Sequence, residues 1–284
     1  MPLTPYNILL QDARKGNYAV GAFNIFGMEF LPAILDVAEE EKAPVILQIA
    51  PLHFYLSDLP EYIKYVKSQI VKVKVPVALN LDHGKTREII IKGIRNGFPA
   101  VMFDASRLPF TQNLAQTKEI VELCKPLGMT VEAELGSLND EGAELTAETK
   151  DKLFTNPEQA AKFVTETGID ALAVSIGNAH GFYKGEPKLD FARLQQIRDK
   201  VPVPLVLHGG SGIKTDDFKK AITLGINKIN IYTEMSASAS LMMKSLLNAH
   251  DTPADFPATL YQVRLAVKEV VREKMHVFGS CGKG

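Results

Sequence analysis

The chain has 284 residues, 46% of them hydrophobic and 23% charged, with a formal net charge of −1 at pH 7. That balance supplies no bulk field for nucleic acid or for a membrane surface, and no apolar run reaches the roughly 18 residues of a transmembrane helix. Two cysteines, Cys124 and Cys281, are too few for a disulfide framework and point to a reducing compartment. The opening Met1-Pro2-Leu3-Thr4-Pro5 lacks the basic start and apolar core of a secretory leader, so the expected location is cytoplasmic.

Short β-branched runs alternate with longer amphipathic segments from end to end. Strands are expected at Ala19–Asn24, Val45–Ile49, Val75–Leu81, Ala100–Phe103, Thr130–Glu134, Ala171–Ile176, Val203–Leu207 and Lys228–Ile231. Helices are expected over Leu31–Glu41, Asn113–Leu123 and Pro157–Thr167, the last with Pro in its first turn and Gly168 as its stop. Thr215-Asp216-Asp217 reads as a further helix start. The strand runs are near-continuously apolar, as strands covered on both faces must be. Eight such units in one chain of this length predict an α/β fold, a (β/α)8 TIM barrel spanning 1–284 as a single domain. The residues after Glu234 form a C-terminal helical extension that ends in a mobile Gly279–Gly284 tail.

Polar residues cluster where those strands end: Asn24, Gln48, Asp82-His83, Asp104, Glu132 and Glu134, His180, His208 and Asn230. A polar side chain against a core costs free energy unless it has partners, and barrel enzymes carry their chemistry at the C-terminal strand ends. Of six histidines, His83, His180 and His208 each close a strand and precede a glycine. Three imidazoles from separate strands match the ligand set of a catalytic zinc site with an open fourth position. His53, His250 and His276 lie in loop or helical surroundings and read as surface residues, while Cys124 reads as core. The run Val203–Leu207 then His208-Gly209-Gly210-Ser211-Gly212 pairs a metal-capable imidazole with a loop of free N–H groups suited to an anion.

Five segments, Leu79-Asn80-Leu81-Asp82-His83-Gly84, Val131-Glu132-Ala133-Glu134-Leu135-Gly136, Ala179-His180-Gly181, His208-Gly209-Gly210-Ser211-Gly212 and Lys228-Ile229-Asn230, resemble in order the signatures of the class II, metal-dependent ketose-bisphosphate aldolases. The resemblance runs from about Tyr18 to the C-terminus. It implies Zn2+ on His83, His180 and His208, acting as a Lewis acid on the ketone of dihydroxyacetone phosphate. Asp82 would handle the C4 hydroxyl proton. Asp104 and Glu134 match carboxylates of an alternative or second cation position or, equally, groups that orient the ligands, and Glu132 a structural hydrogen-bonding partner. The sugar phosphate would lie against Gly181, Gly209, Gly210, Ser211, Asn230, Ile231, Tyr232 and Thr233. The partners implied are a small-molecule sugar phosphate and further copies of the chain as a homodimer or homotetramer, with no nucleic acid and no membrane.

Three departures from that pattern bear on function. The loop after Glu134 lacks the family's paired glycines, leaving Glu141 or Glu144 as the base for the C3 proton. Ala50 replaces a serine two residues after Gln48. The Asp-Pro-Arg segment whose arginine binds a distal phosphate is replaced by Thr252-Pro253-Ala254-Asp255-Phe256, which favours an aldehyde without a phosphate. A Schiff-base aldolase is disfavoured because Ala171–Ile176 offers no lysine. A metallohydrolase does not account for the adjoining phosphate loop, and a nucleophile elbow at Ser211 fails at Ile213. The competing reading of another class is a non-catalytic sugar-phosphate-binding relative. The altered 138–144 loop favours it, and the poised Asp82 opposes it.

Overall fold

The computed structural model describes residues 3–27, 29–137, 139–140 (backbone), 153–181, 183, 185–249 and 255–284. Eight parallel strands close into a barrel in sequence order: β1 (Val20–Asn24), β2 (Val45–Ile49), β3 (Val77–Gly84), β4 (Ala100–Phe103), β5 (Thr130–Leu135), β6 (Ala171–Val174), β7 (Leu205–Leu207) and β8 (Ile226–Ile231). Around them run α1 (Tyr6–Gly16), α2 (Phe30–Glu40), α3 (Leu59–Ile70), α4 (Arg87–Arg95), α5 (Phe110–Cys124), α6 (Pro157–Thr167), α7 (Phe191–Lys200), α8 (Thr215–Thr223), α9 (Thr233–Asn248) and α10 (Phe256–Val277). The expected TIM barrel with its helical extension is the observed one.

Strand alternation sorts the core into two layers. Outward residues such as Phe23, Leu47, Leu79, Val101, Val131, Leu172, Leu207 and Ile229 pack under the helices. Inward residues near the strand starts are small: Val20, Ala22, Ile46, Ala78, Ala100, Ala171, Ala173 and Val206. Their narrow interior is stoppered by α1, whose Tyr6, Leu9, Leu10 and Ala13 fall on one helical stripe and join that inner cluster. Further along the strands the inward positions turn polar, at Asn24, Gln48, Asn80, Glu132, Glu134, Lys228 and Asn230, all buried.

Element ends differ from expectation where pairing is irregular. β3 continues beyond Leu81 through Asp82, His83 and Gly84, and β8 begins two residues before Lys228. Each carries a register shift, between Leu81 and Gly84 and between Ile226 and Lys228. Asn156 caps α6 by accepting from Glu158 N and Gln159 N, and Gly168 stops it at φ 69°. The tail expected to be mobile is docked: Gly282 N donates to Glu41 O at 2.9 Å, Gly284 N to Lys42 O at 2.7 Å, and Ser280 is fully buried. The glycines there let the chain turn back onto the loop after α2, where backbone hydrogen bonds hold it. Ion pairs from α10, including Arg264 with Asp36 and Lys268 with Glu40, fasten the extension to α2.

Candidate active site

The C-terminal strand ends enclose a cavity of about 510 Å³. Asn24, Asp82, His83, Asp104, Glu134, His180, Gly181, Gly209, Ser211, Asn230, Tyr232 and Thr233 line it, and His208 lies just beneath, 1% exposed. Two sequence expectations fall elsewhere. Ile231 points outward into the helix-facing core, and Gly210 is buried against Asn230 O without lining the cavity.

Asp82 and His83 are consecutive, so a regular strand would send them to opposite faces. The register shift between β3 and β4 removes that constraint: Leu81 pairs with Val101 and Gly84 with Phe103, leaving one extra residue in β3. His83 takes φ 47°, a conformation that non-glycine residues adopt under constraint. Both side chains thereby reach the cavity.

The imidazoles are locked by carboxylates. His83 Nδ1 lies 2.9 Å from Asp104 Oδ2, and His208 Nε2 lies 2.8 Å from Glu132 Oε1. With each carboxylate paired to one ring nitrogen, the second nitrogens are His83 Nε2 and His208 Nδ1, the latter also 3.2 Å from Asn230 Nδ2. Those two nitrogens face one another at 3.0 Å. Lone pairs do not share such a space without a proton or a cation between them. His180 adds a third ring, 5.0 Å from that of His83 between centroids. The ligand atoms of all three lie within 4.8 Å of one another, close to the donor spacing a four-coordinate metal requires. The donor set therefore fits a divalent cation of the zinc type. His83, Asp104 and Glu134 likewise bring ligand atoms within 4.8 Å of one another. Asp104 uses Oδ1 on Ser106 and Oδ2 on His83, whereas Glu134 Oε2 is buried without a hydrogen-bond partner among the described residues.

The local field is negative. Burial works against the charge of Asp82, but His83, His208 and Lys228, with a hydrogen bond from Asn24 Nδ2 at 2.9 Å, hold its carboxyl below the usual range. Burial likewise opposes charge on His83, yet Asp82, Asp104 and Glu134 prevail and lift it to about 9. Burial, helped by Asp104, pushes Glu134 up to about 8. His180 is pulled down to about 3 by burial and then by the neighbouring histidines.

Below the histidines lies a fully buried ion pair. Lys228 Nζ donates to both oxygens of Glu132, at 3.1 and 2.9 Å, and Tyr6 OH on the α1 plug donates to Oε2. Burial disfavours the Glu132 charge, but Lys228 and His208 outweigh it and bring the carboxyl down to about 2. Glu132 is thus the hydrogen-bonding partner expected from sequence. Lys228, a lone charge in an apolar run, was the available signal for the rest of the network.

Gly209 sits at φ 62° with an added Cβ only 2.0 Å from Ala179 O, so the turn after β7 admits no side chain there. Ser211 Oγ accepts from Glu234 N at 3.2 Å in the first turn of α9. Gly209, Ser211, Tyr232 and Thr233 line the cavity beside that helix N-terminus, a position in the barrel that suits phosphate.

The cavity also contains groups that sequence reasoning missed or misplaced. His53 is 7% exposed and lines it, contrary to the surface reading, because Phe26 and Tyr232 from other loops cover its ring. Lys85 and Arg107 line it too. His276 is exposed and Cys124 buried, as expected. Glu141, Glu144, His250 and Thr252-Pro253-Ala254 lie outside the described residues.

Fold and site together define a barrel enzyme whose chemistry gathers at one rim. The family profile described as "Fructose-bisphosphate aldolase class-II" matches residues 4–283. A Bacillus subtilis (strain 168) protein named "Probable fructose-bisphosphate aldolase" is 42% identical over 283 residues, 99% of each chain. The crystal structure of the YdjI aldolase from Escherichia coli K12 superposes with a TM-score of 0.89 at 41% identity, covering 99% of both chains. That of a putative fructose-1,6-biphosphate aldolase from Coccidioides immitis gives 0.87 at 29% identity, covering 99% of this chain and 98% of the other. The chain belongs to the class II fructose-bisphosphate aldolase family. It is an aldolase, a carbon–carbon lyase on a TIM barrel. Among the described residues no helix is long and apolar enough to cross a membrane.

Proposed function

We propose that this aldolase is zinc-dependent and reversibly cleaves a ketose 1-phosphate or 1,6-bisphosphate into dihydroxyacetone phosphate and an aldehyde. The observation that carries the reading is the pair of carboxylate-locked imidazoles, with His83 Nε2 and His208 Nδ1 3.0 Å apart and His180 beside them. These three residues would hold the ion. When bound, it supplies a Lewis acid for the ketone oxygen and charge stabilisation next to the reacting carbons.

The remaining steps belong to the chain. Asp82 is fixed by Asn24 Nδ2 at 2.9 Å and Asn230 Nδ2 at 3.3 Å. An ionised carboxylate so placed takes the C4 hydroxyl proton as the carbon–carbon bond breaks and returns it in the condensation direction. Gly181, the Gly209–Ser211 turn and the start of α9 orient the sugar by its phosphate. Glu134, whose Oε2 is buried without a hydrogen-bond partner among the described residues, serves a second cation position. The C3 proton falls to Glu141 or Glu144.

Two observations pull apart on the aldehyde. The replaced Asp-Pro-Arg segment favours a partner without phosphate, whereas Lys85 and Arg107 at the cavity favour an anionic one. Condensation of dihydroxyacetone phosphate with glyceraldehyde and with its 3-phosphate decides between them. Preference for the phosphorylated aldehyde by orders of magnitude would remove the first option. Loss of condensation in EDTA and its return with Zn2+ supports the metal assignment; indifference to EDTA would sink it.

A further inference from the structure

His53 ends the short 3-10 turn Pro51–His53 that follows β2. Its ring is held between Phe26 and Tyr232, at centroid distances of 5.1 and 5.4 Å. A polar ring 7% exposed ordinarily has its nitrogens satisfied; Nδ1 is buried with no hydrogen-bond partner among the described residues and is closed to a ligand, so Nε2 is the nitrogen that can meet one. The residue walls two spaces at once. One is the cavity holding Asp82, His83 and His180; the other is a cavity of about 380 Å³ among Phe26, Leu56, Tyr62 and Tyr65. Burial lowers its proton affinity more than the nearby Asp82 raises it, so the ring is neutral at pH 7. A neutral imidazole offers one donor and one acceptor, the complement of a sugar hydroxyl.

In the proposed assignment the phosphate occupies the loops after β6, β7 and β8, and Asp82 serves the C4 oxygen. The turn after β2 lines the same cavity as Asp82 and is none of those phosphate loops, so it is available to the carbons beyond C4. We propose that His53 is a specificity-determining residue that hydrogen-bonds a hydroxyl of the aldehyde half of the substrate. This rests on the aldolase reading above. An aldehyde without the hydroxyl leaves the buried imidazole unpaired, which lowers its transition-state binding about ten- to a hundredfold.

The test is condensation of dihydroxyacetone phosphate with glyceraldehyde and with propanal, read as the ratio of kcat/KM for the two in each protein. The wild type should favour glyceraldehyde by about tenfold or more, and His53→Phe should bring the ratio near unity. His53→Gln, which keeps hydrogen-bonding atoms, should recover part of the preference. Incomplete folding or metal loading lowers both rates together and leaves the ratio intact, so a merely structural role predicts an unchanged ratio in His53→Phe. That result overturns the proposal, as does a wild type indifferent to the hydroxyl. Failure of the wild type to condense any aldehyde overturns the aldolase reading itself, a visibly different outcome.

Discussion

In the proposed mechanism cleavage turns on Asp82, which joins the cavity, a pair of amide donors and the field of the histidines. Asp82→Asn keeps the shape and removes the base, so kcat should fall by about 10²–10⁴ while the bound metal per chain stays the same. A fall of less than tenfold in steady-state assays would reduce Asp82 to an orienting group. Lys228 works through others. With 0% exposure and its ammonium on Glu132, its replacement strands a buried carboxylate. Lys228→Met should cost about 3–5 kcal/mol of stability in denaturant titrations. Adding Glu132→Gln should recover much of that loss. A single variant as stable as the wild type would mean that Glu132 is compensated elsewhere.

At the scale of the element, the turns after the strands do the positioning, and two of them exist because of backbone conformations. Gly209→Ala places a Cβ against Ala179 O and forces a side chain to φ 62°. It should destabilise the protein by at least ~1–3 kcal/mol and weaken dihydroxyacetone phosphate binding in calorimetry; wild-type values for both would contradict the role of the turn. The strand cores were legible from sequence because burial on both faces leaves near-continuous apolar runs, and β2, β4 and α6 fell at the expected bounds. The histidine set was legible because each member closes a strand beside a glycine. The bulge in β3 was not, since pairing irregularity leaves no mark on an apolar pattern. Helix α1 was missed because Pro5 stands at its N-cap with no capping side chain, although Tyr6, Leu9, Leu10 and Ala13 carry the helical stripe. His53 was misplaced because the rings that bury it, Phe26 and Tyr232, are far from it in sequence.

At the scale of the molecule, the barrel divides its labour between ends. The start of the strands is closed by α1 and small apolar side chains, and the docked C-terminal tail ties the extension to the loop after α2. The opposite rim holds the carboxylates and imidazoles, where hydrogen bonds such as Asn24–Asp82, His83–Asp104 and His208–Glu132 offset the burial of polar groups. Leu10→Ala, at 0% exposure in the plug, should therefore cost about 2–5 kcal/mol in chemical denaturation yet leave kcat of the folded enzyme intact. A large fall in kcat would show that the plug reaches the rim through Tyr6 and Glu132. The measurement that bears most directly on the whole account is condensation of dihydroxyacetone phosphate with an aldehyde, assayed alongside metal content for the wild type and His180→Ala. The account predicts one tightly bound divalent ion in the wild type, activity lost in EDTA and regained with Zn2+, and neither ion nor activity in the variant. Full activity in metal-free protein, or in His180→Ala, would contradict it.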